Sequence, residues 1–144
     1  MQVNKDALGF ILHHSDLKLL KLQRIKFKSF NVTPEQWHLL NRLAEQSGIN
    51  QKELAKRVDK NEAIVTRMLA ILERKQLVRK EIDPEDRRAF LIYLTSSGKE
   101  IQDNLVVLAE QTFESLLHEI AADDINTFRQ VLTTIQQKLD FLLT

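Results

Sequence analysis

NEAIVTRMLAILERKQLVRKEIDPEDRRAFLIYLTSSG, residues 61–98, changes its period twice, and the fold is decided by where those changes fall. Val65, Met68, Leu69 and Leu72 recur at three- and four-residue steps, which predicts a helix from 61 to about 76 with one apolar face. Residues 77–82 and 89–95 are then rich in β-formers. They enclose Asp83-Pro84-Glu85-Asp86-Arg87-Arg88, a polar run whose proline and aspartates suit a tight turn. The result is a β-hairpin with two adjacent arginines at its tip. From Ser97 the helical period returns, with Ser97 and Glu100 spaced as a capping box.

Upstream, Thr33, Pro34 and Gln36 form a helix start: a hydroxyl cap, a proline at the first helical position and a glutamine placed to close a capping box. Trp37, Leu40, Leu43 and Ala44 are the core positions expected of that helix, which ends near Ser47 and Gly48. Asn50 then caps a short helix to about Val58 that buries Leu54, Ala55 and Val58, and a turn at Asp59 and Lys60 leads into the helix at 61. Two short helices joined by such a turn make a helix-turn-helix, and the hairpin that follows makes it winged.

Long amphipathic helices flank this core. Leu8, Ile11, Leu12, Leu19, Leu22 and Phe30 mark one from 6 to about 30. Ile101, Leu105, Leu108, Thr112, Leu116 and Ile120 mark another, and Ile125, Phe128, Leu132, Ile135, Leu139 and Leu142 a third, capped by Asp123. The last stripe has a coiled-coil spacing and no later segment of the given sequence to cover it, so it is expected to pack on the first helix or on a second subunit. The fold class is therefore mainly α with a small β-hairpin wing. It is expected as a single domain over 1–144, with a core at about 32–96 and dimerisation helices at about 1–30 and 97–144.

Composition narrows the function. With 43% hydrophobic and 28% charged residues the chain is too apolar for disorder. The absence of cysteine removes disulfides, thiolate metal sites and thiol switches. Net charge is only +1, yet residues 1–29 carry +4 and 52–88 carry +3 against −5 over 89–144, the asymmetry of a polyanion binder with one docking face. No glycine-rich phosphate loop, nucleophile elbow or metal-ligand cluster occurs, so no enzyme, cofactor or metal is expected. A secretory leader and an apolar run of bilayer length are both missing, which makes cytoplasmic the default expectation, with no membrane partner.

In both the order of its elements and its local motifs the chain resembles the MarR (multiple antibiotic resistance regulator) family. The residues that carry the likeness are LAILERKQLV at 69–78, the wing DPEDRR at 83–88, and Leu94-Thr95-Ser96-Ser97-Gly98, similar to the family's leucine, threonine, two residues, glycine ending. One departure is Gln76, where family members often have glycine. Either it takes a left-handed conformation at a cost of ~1 kcal/mol, or the helix ends differently.

A winged helix of this kind is expected to lay the start of its second helix in the major groove of duplex DNA. The exposed set would be Asn61, Glu62, Ala63, Ile64, Thr66 and Arg67: Arg67 for guanine or a phosphate, Asn61 for adenine, Ala63 or Ile64 for a thymine methyl. Lys52, Lys56, Lys60 and Arg74 would meet phosphates, although each would serve equally as a solvated surface charge. The resemblance implies that Arg88 enters the minor groove, Arg87 makes a second contact and Asp86 holds an arginine in pose.

It also implies a homodimer on a near-palindromic operator, with Leu8, Ile11, Leu12, Phe128, Leu132, Ile135, Leu139 and Leu142 at the subunit interface, and a repressor released by a small aromatic or anionic ligand. His13, His14, Arg24, Trp37 and His38 are candidates to line that ligand's cleft, with packing roles as the alternative. The rival classes are a winged-helix protein-interaction module and a nonspecific architectural DNA binder. An operator preference excludes both.

Overall fold

A computed structural model describes residues 5–144. The elements run α1 (Lys5–Phe27), a 3-10 turn (Lys28–Phe30), α2 (Pro34–Glu45), β1 (Ile49–Asn50), α3 (Gln51–Arg57), α4 (Glu62–Arg74), β2 (Val78–Ile82), β3 (Phe90–Leu94), α5 (Ser96–Leu117) and α6 (Ala122–Leu143). The chain divides into two compact units, one through Leu108 and one from Ala109 to Thr144, so the division falls inside α5 and not at its start.

In the first unit the core gathers one apolar face from each element. Phe27 of α1, Leu39, Leu40 and Leu43 of α2, Leu54 of α3, Val65, Leu69 and Leu72 of α4, Ile92 of β3 and Leu105 of α5 are fully buried. Each such side chain contributes about 1.5–3 kcal/mol by leaving water, which is what holds these short helices in place. On α2 the stripe sits one position earlier than the sequence suggested: Ala44 is exposed and Trp37 half-buried. Gln36 takes the inward place with its amide oxygen doubly bonded and its backbone N–H capped. Its Oε1 accepts from the Thr33 N–H at 3.2 Å and from Lys75 Nζ at 3.1 Å, while its own N–H donates to Thr33 Oγ1 at 3.1 Å, closing the expected capping box.

The sheet has three strands, not the two of a plain hairpin. Their order is β1-β3-β2, all antiparallel, with Val78 opposite Leu94, Lys80 opposite Ile92 and Ile49 also opposite Ile92. The short strand β1 ties the start of α3 to the wing. Gly48, at φ +78°, makes the corner that permits this, and its N–H donates to the Ile92 carbonyl at 2.7 Å.

Both helix ends in question close as Schellman motifs. After α4 the Gln76 N–H donates to the Glu73 carbonyl at 2.9 Å and the Leu77 N–H to the Leu72 carbonyl at 3.0 Å, with Gln76 at φ +62°. The left-handed alternative is thus the one adopted. After α3 the same pattern recurs around Asp59, at φ +54°, with Lys60 N–H on the Ala55 carbonyl at 3.1 Å.

Helix α5 starts at Ser96, capped by Thr95 and not by Ser97: Thr95 Oγ1 accepts from the Gly98 N–H at 3.0 Å and donates to the Gln76 carbonyl at 2.7 Å. Gly98 is needed there because a Cβ would lie 2.1 Å from the Leu77 carbonyl oxygen. Helix α6 starts at Ala122, one residue before the expected cap Asp123, which lies instead in its first turn with Asp124 and complements the helix dipole.

Candidate nucleic-acid interface

Local capping fixes the helix-turn-helix. Asn50 Oδ1 accepts from the Glu53 N–H at 2.8 Å to start α3, and Asn61 Oδ1 accepts from the Ile64 N–H at 2.9 Å to start α4. Asn61 therefore stands just before the helix, with its oxygen committed to the cap and its amide NH₂ left outward. Burial of Val65, Leu69 and Leu72 turns the opposite face of α4 out, so Asn61, Glu62, Ala63, Thr66 and Arg67 are exposed while Ile64 is half-buried. Thr66 is less free than its exposure suggests. Its hydroxyl donates to the Glu62 carbonyl at 2.7 Å and accepts from Gln51 Nε2, which braces α3 against α4. Gln51 was not among the residues read from the sequence, and no local spacing links it to Thr66.

The wing tip is held by its own backbone. The Asp83 N–H donates to the Ala89 carbonyl at 3.1 Å and Ala89 N–H to the Asp86 carbonyl at 2.9 Å, and Asp83 Oδ1 accepts from the Glu85 N–H at 2.9 Å. Asp86 Oδ1 accepts from the Arg88 N–H at 3.0 Å, so Asp86 holds the backbone of Arg88 and not a guanidinium. Arg87 and Arg88 are exposed, and among the described residues no carboxylate pairs with either, nor with Arg67, Lys52 or Lys60. In contrast, Arg57 is engaged by Glu53 at 3.7 Å, and Arg79 by Glu81 and by the Tyr93 ring 4.3 Å from its guanidinium carbon.

Two of these cations, Lys52 and Arg88, border one cleft of about 340 Å³, with Asn50 and Gln51 at the start of α3, Glu62 from α4, and Asp86 and Phe90 from the wing. Wing tip and helix start thus face a common space. Arg74 stands apart from this set, twelve residues or about 18 Å along α4 from Glu62.

Of the residues suggested for a ligand cleft, Arg24, Trp37 and His38 lie where α1 meets the start of α2, and His13 lies further along α1. Trp37 packs edge-on against Phe27 at 5.2 Å and beside His38 at 5.7 Å, and its buried Nε1 has no acceptor among the described residues. His38 is open on its outer side, while desolvation of the rest of the ring lowers its pKa. Arg24 pairs with Glu35 at 2.9 Å; partial burial pushes the Glu35 carboxyl up, and the guanidinium outweighs this and holds it below the usual value. His13 lies eleven residues or about 16 Å from Arg24 along α1, against His14 at 5.9 Å.

The residues proposed for a subunit interface form uncovered apolar faces. Leu8, Ile11 and Leu12 on α1 are exposed, as are Phe128, Ile135, Leu139 and Leu142 on α6, with Leu132 half-buried. No described helix is long and apolar enough to cross a membrane, and no described group of histidine, aspartate or glutamate side chains is arranged to hold a metal ion.

The MarR family model matches residues 32–90, the stretch from the residue before the cap of α2 to the first residue of β3. Among curated proteins the chain is 28% identical over 102 residues to the transcriptional regulator HosA of Escherichia coli O111:H-, covering 71% of this chain and 76% of HosA. It is 27% identical over 132 residues to the HTH-type transcriptional regulator SarZ of Staphylococcus haemolyticus, covering 89% and 88%. Among solved structures, a mutant MarR from E. coli complexed with operator DNA superposes with a TM-score of 0.83 at 26% identity, covering 90% of this chain and 93% of that one. In its winged helix-turn-helix, in the matched segment and in these relatives, the chain is similar to the MarR family of transcriptional regulators.

Proposed function

We propose that this chain is a sequence-specific regulator of transcription that binds double-stranded DNA as a homodimer on a near-palindromic operator, as a repressor released by a small aromatic or anionic ligand. The observation that carries the reading is the cleft shared by the start of α3, the start of α4 and the wing, where Lys52 and Arg88 are exposed and neither is held in an ion pair by the acids beside them, Glu62 and Asp86. Exposed cations free of ion pairs, Lys52 and Arg67 on the helices and Arg87 and Arg88 on the wing, suit a polyanion. In that arrangement the first turn of α4 enters the major groove, where Arg67, Ala63 and Ile64 meet base edges and Lys52 and Lys60 meet phosphates. The wing reaches the adjacent minor groove, where the potential is most negative, and Arg88 inserts from a tip that its own hydrogen bonds have already ordered. The relatives support this: HosA and SarZ are transcriptional regulators, and a solved neighbour is complexed with operator DNA.

Pairing of subunits follows from the apolar faces of α1 and α6, which a single chain leaves in water. A two-fold dimer doubles the contacts and imposes its symmetry on the operator. The test is selection of bound duplexes from a random pool, followed by titration of the selected and a scrambled sequence across salt concentrations. A half-site repeated about one helical turn apart, bound well over tenfold more tightly than the scrambled duplex, is the expected result. A pool that yields no favoured sequence overturns the reading.

A further inference from the structure

Thr66 stands on the outward face of α4, one residue before Arg67, and its hydroxyl is already engaged. It donates to the Glu62 carbonyl at 2.7 Å, one turn back, and accepts from Gln51 Nε2. Gln51 opens α3 directly after Asn50, which caps that helix and pairs with Leu91 of β3, so the brace is anchored in the sheet. Gln51 and Glu62 both line the cleft shared with the wing. Thr66 therefore lies at that surface with its oxygen turned toward protein.

The consequence is chemical. A hydroxyl has one hydrogen to give, and the Glu62 carbonyl takes it. Both groups that guanine shows in the major groove, the N7 of adenine, the O4 of thymine and the phosphate oxygens are all acceptors, so Thr66 has no hydrogen for any of them. The amino groups of adenine and cytosine find one lone pair left, on an oxygen that already holds two hydrogen bonds directed back at the protein. What the side chain leaves for the groove is its Cγ2 methyl group. The matching apolar group on a base edge is the C5 methyl of thymine.

We infer that Thr66 reads a thymine by packing Cγ2 against its C5 methyl group, and makes no hydrogen bond to DNA. The inference rests on the proposed duplex binding and names one determinant of its sequence preference, a thymine in each half-site opposite the first turns of α4. Gln51 holds the hydroxyl away from the groove, so the methyl group is presented in one rotamer before DNA arrives. Covering a methyl group is worth about fourfold in affinity, and a two-fold dimer makes the contact twice.

The experiment starts from the duplex selected above. Each thymine is replaced in turn by deoxyuridine, symmetrically in both half-sites. Fluorescence anisotropy at one salt concentration then reads the affinity of the unaltered chain, of Thr66→Val and of Thr66→Ser. Valine keeps the methyl group and loses the hydroxyl; serine does the reverse. One symmetric pair of thymines is expected at which deoxyuridine weakens binding at least tenfold for the unaltered chain and for Thr66→Val, and less than twofold for Thr66→Ser. Methyl groups read by Ala63 or Ile64 are separated from this pair because their effect does not change with residue 66. Unfolding midpoints of both variants establish that the fold is retained. Loss of the discrimination in Thr66→Val, its survival in Thr66→Ser, or the absence of any such pair overturns the inference. Each of those results on a duplex that is still bound specifically leaves the operator reading standing, whereas a pool with no favoured sequence overturns both.

Discussion

Replacing Arg88 by alanine tests the DNA reading at its most specific point. In the free chain the Arg88 side chain is exposed and without a carboxylate partner, and the tip is closed by backbone groups and the Asp83 and Asp86 carboxylates. The substitution therefore removes no contact that holds the wing, and stability should move by no more than about 0.5 kcal/mol. On DNA the loss is larger. A hydrogen bond to a charged group is worth about 1.5–3 kcal/mol, and a two-fold dimer loses one on each side, so about 3–6 kcal/mol is the upper range before screening and solvent exchange reduce it. Even a reduction to about 1.4 kcal/mol is a tenfold weakening. Two fewer neutralised phosphate charges would also lower the slope of log K against log salt by about 1.8. Fluorescence anisotropy on the selected operator at several salt concentrations reads both quantities, and thermal unfolding reads the fold. Unchanged affinity with an unchanged salt slope refutes the placement of the wing tip in a groove.

Further outcomes follow from individual contacts. Gln76→Gly relieves a left-handed residue in the turn after α4 and should raise the unfolding free energy in urea by about 1 kcal/mol. Gly98→Ala drives a methyl group into the Leu77 carbonyl and should cost about 3 kcal/mol in the same assay. Desolvation lowers the His38 pKa, so the unfolded chain binds the proton more tightly; stability is full above the ordinary value of 6.5 and falls as pH drops through it, and His38→Gln should flatten that decline. Leu139→Glu places a charge in the uncovered face of α6 and should shift sedimentation from dimer to monomer, while a chain that sediments as a monomer before mutation removes the two-fold model.

What was legible in the sequence was local. Thr33 with Gln36, and Asn50, mark helix starts through side-chain to backbone bonds that span three residues, and both formed as read; Asn61, read as the first helical residue, is itself the cap of α4. The wing was legible because its two strands pair in sequence order across a short polar turn. The strand β1 was not, since two residues cannot display alternation and their partner lies more than forty positions away. The same distance hid the correct face of α2. Gln36 reads as a surface residue until Lys75 arrives from the end of α4 to satisfy its amide, and only then does the apolar stripe fall on Leu39, Leu40 and Leu43.

The functional residues divide along that line. Arg67, Arg87 and Arg88 could be named from sequence because their positions depend on a helix start and a hairpin tip, both set by neighbours. The ligand candidates could not, because a cleft is defined by what packs across it. Of His13, Arg24, Trp37 and His38, only the last three have contacts at the α1–α2 junction, and His13 lies about 16 Å from Arg24 along α1. Gly98 is the converse case. Its place in the leucine-threonine-x-x-glycine ending was visible at once, but the reason for it is a carbonyl oxygen of Leu77, twenty-one residues back, that leaves no room for a Cβ. A short motif can thus be the local trace of a long-range contact, and a substitution there acts on the seam between the wing and α5.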